Sequence, residues 1–111
     1  MSIESLKVCV KVAACICGKD GIISEVEERK MFQMLTEKFP SFDMELFEST
    51  LTEFFDSDDQ IEDYLKLLDD EDLRLFTLEL AEISASADQL KAKENIALEK
   101  AYLIWEVNRD D

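Results

Sequence analysis

The most specific grouping of chemistry-bearing residues in this chain is GKDGIISEVEE, residues 18–28. Asp20 and Gly21 are followed by apolar Ile23, then by Ser24 and Glu27. Oxygen donors at this spacing match the second half of a helix–loop–helix calcium loop, which draws ligands from positions one, three, five, seven, nine and twelve around a glycine at six. With Gly21 at six, Asp20 is five, Ile23 eight, Ser24 nine and Glu27 twelve. The same frame puts Ile16 at one and Gly18 at three, where oxygen ligands belong. Calcium takes roughly six to eight oxygens, so the stretch is not a complete loop of that kind.

A structural reading accounts for the same residues. Gly21 supplies a positive φ at low steric cost. Ile23 pins the turn to a core, and Ser24 with Glu27 forms a capping box that starts a helix. The alternative is a cation held by carboxylates from more than one turn. An offset of 67 residues lays Ala14, Ile16, Ile23 and Glu27 on Ala81, Ile83, Leu90 and Glu94. The repeat would add Asp88 and Glu94 to Asp20 and Glu27, giving an oxygen-ligand site for calcium, magnesium or manganese.

Other chemistry finds little footing. The chain has no His, no glycine-rich phosphate loop and no Ser or Cys with a base nearby in sequence, so we expect a protein that is not an enzyme. Cys9, Cys15 and Cys17 are odd in number and bunched in one segment, which suits small reduced thiols on a helix and not a disulfide framework or a zinc site. Cys15 and Cys17 point to different sides of such a helix and make a poor redox pair.

The elements that carry these residues read as helices throughout. With two Gly, one Pro and 47% apolar residues in 111, the composition favours an all-α domain with an ordinary core. Ser2 caps a first helix that is apolar on most sides, the mark of a central helix. A second follows Ser24 and stops before Pro40. A third begins at Ser41 or Asp43 and carries Leu46, Phe47, Leu51 and Phe54. The acids at 56–59 and 69–72 suit the N-termini of a short fourth helix and a fifth. A sixth runs from about Lys91 to Asn108 and is expected to bury Ile96, Ala97, Ala101, Ile104 and Trp105. The fifth carries Leu73, Phe76, Leu80, Ala81 and Ile83, and most of the row Phe39, Phe42, Phe47, Phe54 and Phe55 belongs to the core. No period-two strand pattern appears. The expectation is one domain over 1–111: a compact bundle of about six helices with a weak internal two-fold repeat.

The net charge of −15 is unevenly placed. Residues 1–40 balance six cations against six acids, whereas 41–90 hold two against sixteen. Direct nucleic-acid binding is excluded as a function class, since it rests on Lys and Arg neutralising phosphates. A partner protein with a basic surface fits, and Asp56, Asp58, Asp59, Glu62, Asp63, Asp69 and Asp70 are the candidate contacts. The bland reading of those acids is helix caps and a solvated face. The longest uncharged run, 12–18, is far too short for a transmembrane segment. The first residues fit a secretory signal poorly, so a cytoplasmic location is expected.

AACICGKDGIISEVEE, residues 13–28, resembles the hallmark of the TerB-like family of tellurite-resistance-associated helical domains. LAEISASADQLKAKE, residues 80–94, is similar to the family's second copy, although Ala87-Asp88-Gln89 replaces Asp-Gly and displaces the acid by one position. The resemblance covers most of the chain. It implies an all-helical fold, a role in stress response or at a membrane-associated complex, and metal-binding acids that fall here on Asp20, Glu27 and Glu94. The functional expectation is a non-enzymatic acidic binding module for a protein partner, modulated by a divalent cation. The alternatives are a dedicated divalent-metal-binding or sensing protein and an acidic decoy of a basic nucleic-acid-binding protein.

Overall fold

Helix starts in this chain are written in its capping residues, and each expected start is found. The computed structural model describes residues 2–18, 23–87 and 89–108, and these form six helices with no strand among them. Helix α1, Ile3–Cys17, begins where Ser2 Oγ accepts the Ser5 amide at 3.1 Å. Helix α2, Glu25–Lys38, has the reciprocal capping box, with the Glu27 amide donating to Ser24 Oγ and the Ser24 amide to Glu27 Oε1. Helix α3, Met44–Asp56, is capped by Asp43, which resolves the choice left between Ser41 and Asp43. In the short α4, Ile61–Leu65, Asp63 accepts the Gln60 amide at 2.8 Å. Asp70 caps α5, Glu71–Ser86, through the Leu73 amide. Helix α6 is Ala92–Ile104.

Helix α1 is apolar on nearly every side and packs against all five other helices. Its buried set includes Leu6, Cys9, Val10, Val12, Ala13, Ala14, Ile16 and Cys17. A helix exposed on one face cannot bury both Val12 and Ala14, so the central position follows from composition alone. By contrast α2 fully buries one stripe, Glu27, Met31 and Leu35, spaced four apart, and packs mainly against α5. One hydrophobic core joins all six helices.

Helix α6 departs from expectation. It ends at Ile104 and not at Asn108, because Trp105 turns inward and Glu106 adopts a left-handed φ of 55°. The Trp105 indole N–H donates to the Leu65 carbonyl at 3.0 Å, and the Arg74 guanidinium lies 5.4 Å over its ring. The expected buried face is also rotated. Ala97, Ala101 and Trp105 are buried, but Ile96 is 64% exposed and Ile104 is exposed as well. The reason is Glu94: its side chain points into the molecule, and the residues sharing its face are Ala97, Leu98 and Ala101. Ile96, two positions on, then faces out. Ile83 of α5 is likewise exposed, and Phe55 stands outside while Phe42 and Phe47 are buried.

Ion pairs soften the acidic middle of the chain. Lys7 and Lys11 of α1 both reach Glu53 of α3, at 2.8 and 2.9 Å, and Lys100 of α6 pairs with Glu62 of α4. No helix among the described residues is long and apolar enough to cross a membrane.

Candidate functional site: a buried carboxylate pair

Two acids in the described residues are buried, and they are the two that the 67-residue offset relates. Glu27 and Glu94 are each 1% exposed. Each sits at the third position of its helix, and each commits Oε1 to the backbone at its own helix start. Glu27 Oε1 accepts the Ser24 amide and Glu94 Oε1 accepts the Lys91 amide, both at 3.0 Å. The four-position repeat in the sequence is thus a repeat in space: a small-residue helix, a turn, and a glutamate that caps the next helix from inside.

The second oxygens are the unusual feature. Glu27 Oε2 and Glu94 Oε2 are buried, and neither has a hydrogen-bond partner. The two carboxyl groups lie within hydrogen-bonding reach of each other. Two carboxylates supply acceptors and no donor, so the contact calls for a shared proton, a bridging water or a cation. Burial first, and then Glu94, push the Glu27 carboxyl above the ordinary carboxylate range, while the Ser24 amide pulls the other way. Removing ionised carboxylates from water costs several kcal/mol per ion unless the charge is matched. The N-termini of α2 and α6, where both acids sit, offset only part of that through their backbone amides.

Cys17, at the end of α1, lies close enough for the field of both glutamates to reach it. Its thiol is buried, and burial followed by Glu27 and Glu94 holds it far above the usual cysteine range. The thiol is therefore neutral in the metal-free protein. The same offset that relates the glutamates relates Cys17 to Ser84, whose Oγ is also buried without a hydrogen-bond partner. From the sequence neither residue was given a place in a site, Cys17 being read as a small reduced thiol on a helix.

Of the four expected metal ligands, Glu27 and Glu94 are brought together, and Asp20 and Asp88 lie outside the described residues, as does Gly21 with its expected positive φ. Ile23 pins the first turn as expected, packing on the core with its side chain against Gly18. The second turn, which lacks Asp-Gly, places Gln89 in the left-handed region at φ 65°. A non-glycine residue there costs about 1–2 kcal/mol, a cost that surrounding structure has to offset. Among the described residues no group of three His, Cys, Asp or Glu is arranged to hold a metal ion. Two hard oxygens free of internal partners, on a pair of carboxylates, nonetheless suit calcium, magnesium or manganese as part of a larger ligand set.

The candidate partner-binding acids are placed differently. Asp56, Asp58 and Asp59 are exposed at the α3–α4 join, and Asp69 is exposed before α5. Glu62 is paired with Lys100, Asp63 accepts the Gln60 amide, and Asp70 caps α5. Comparison with known proteins gives no match: no family model, no curated protein and no solved structure is similar to the chain.

Proposed function

We propose that this chain is a non-enzymatic helical module of TerB-like type whose defining site takes a divalent cation between Glu27 and Glu94. The observation that supports the reading is the pair of facing, buried carboxylates, each with one oxygen spent on a helix cap and the other without a donor. A core with an apolar alternative at every other position has no packing reason to keep two acids in contact. Glu27 and Glu94 would hold the ion, with Asp20 and Asp88, the acids that precede them by seven and six residues, to complete the ligand set. The cation would supply charge neutralisation that ties α2 to α6 and, through them, conditions how the acidic surface meets a protein partner.

Calorimetric titration of calcium, magnesium and manganese at about 0.15 M salt, where diffuse attraction is screened, tests the site. The expected result is saturable 1:1 binding that Glu27→Gln/Glu94→Gln abolishes and Asp58→Asn/Asp59→Asn leaves intact. Absence of saturable heat, or equal binding by both variants, overturns the proposal.

A further inference from the structure

A second surface, away from the carboxylate pair, runs along the outer face of α5. One groove of about 700 Å³ lies between α2 and the first half of α5, with Phe39, Leu75 and Phe76 at its base and Glu37, Asp72 and Glu79 around it. Another of about 700 Å³ continues between the second half of α5 and the end of α6, lined by Leu75, Leu78, Ile83, Tyr102 and Val107. Leu75 and Glu79 line both, so the two grooves adjoin along α5 and are taken together as one channel. From Asp72 to Ser86 the α5 axis rises about 21 Å, close to four helical turns.

The base of this channel is apolar where a soluble helix is ordinarily polar. Leu75 is 48% exposed and Ile83 39%, two turns apart on the same face of α5. The acids Asp72 and Glu79 flank Leu75 on that face, and Glu37 closes the far wall from α2. The cations present are Lys30 and Lys38, the latter held 5.7 Å over the Phe76 ring. An apolar strip of helical length between acids is the complement of a helix with one apolar stripe and Lys or Arg beside it.

We propose that the α2–α5–α6 channel docks a cationic amphipathic helix of a partner protein. Charge selects this occupant. The chain carries a net −15, which attracts a basic segment over a long range and repels a second copy of itself, an anionic bilayer and a nucleic acid alike. Leu75 and Ile83 give the segment two apolar anchor points, and Glu37, Asp72 and Glu79 fix its direction through the flanking cations. This inference stands on the groove alone and does not depend on the cation site.

The test uses a fluorescently labelled helical peptide of about 18 residues, Leu at one face and Lys elsewhere, with a scrambled isomer of the same composition and a Glu-for-Lys counterpart. Anisotropy is read against the full chain at about 0.15 M salt. The expected result is saturable 1:1 binding of the patterned cationic peptide, at least about tenfold tighter than the scramble, with none by the acidic peptide. Leu75→Ser/Glu79→Lys should weaken it at least about tenfold, whereas Leu67→Ser/Glu48→Lys, the same two changes at exposed sites elsewhere, should shift it less than about twofold. Circular dichroism confirms that both variants remain helical. Equal affinity for patterned and scrambled peptides, equal loss in both variants, or no binding at all overturns the proposal. So does concentration-dependent dimerisation that Leu75→Ser/Glu79→Lys abolishes, which would make a second copy the occupant.

Discussion

The acids of this protein divide into two regions that behave oppositely. Between Asp56 and Asp72 carboxylates are dense and mostly exposed, and Glu62, Asp63 and Asp70 among them serve as helix caps or ion-pair partners. At the starts of α2 and α6, Glu27 and Glu94 are instead buried against each other with an oxygen apiece left over. The difference teaches that acid count is a poor guide to a site. An exposed carboxylate is satisfied by water at no cost, whereas a buried one without a donor must be matched by something.

Cation loading should separate the regions most widely. At a free cation concentration of a hundred times Kd, binding to the native state alone adds about 2.7 kcal/mol of stability. That gain should appear as a raised urea midpoint in the wild type and in Asp58→Asn/Asp59→Asn, and vanish in Glu27→Gln/Glu94→Gln. A gain of equal size in all three proteins would mean that the ion binds at neither pair.

Glu94→Gln alone should reverse sign with conditions. Without metal, the new amide can donate to Glu27 and relieve the repulsion, stabilising the protein by about 1 kcal/mol. With saturating cation the same variant should fall below wild type. Denaturation in chelator and in manganese gives both numbers, and destabilisation in chelator would refute the shared-proton picture. Asp70→Ala, in the other region, should cost about 1 kcal/mol in either condition, since it removes only the cap on the Leu73 amide.

Acidity sharpens the contrast further. The folded state holds the Glu27 proton more tightly than the unfolded chain does, because its carboxyl is raised above 4.5 by burial and by Glu94. The stability tied to that proton is complete below 4.5 and is lost as pH climbs through the raised value. Metal-free wild type should therefore weaken over that window, and Glu27→Gln should flatten the slope. Glu53 works the other way: hydrogen bonds from Lys7 and then Lys11 hold it below 4.5, so its contribution is present above that value and fades as pH falls further. Urea midpoints measured across pH in chelator distinguish the two windows. The smallest effect belongs to the exposed join, where Asp58→Asn/Asp59→Asn should move stability within about 0.5 kcal/mol.

Much of this was legible in the sequence, and for local reasons. Ser2, Ser24, Asp43 and Asp70 cap through bonds to amides three residues away, so spacing suffices to find them. The offset from Glu27 to Glu94 was readable for the same reason, since each copy is a local unit of helix, turn and cap. Ile96 and Ile104 were misplaced because hydrophobicity was allowed to choose the buried face of α6, and a glutamate took that face instead. The channel on α5 was invisible, since it is made by helices α2, α5 and α6 from distant parts of the chain.

The sequence by itself determined that this protein is all-helical, where most of its helices start, and that α1 lies at the centre, because propensity, capping and one-sided or all-round apolarity act over a few residues. Only the tertiary structure decided which of the described acids are buried. Burial, contact between side chains 67 residues apart and the want of a donor at an oxygen are properties of a packed interior. No spacing rule along the chain reports them, because the groups that supply or withhold the donor come from helices that meet only when the chain folds.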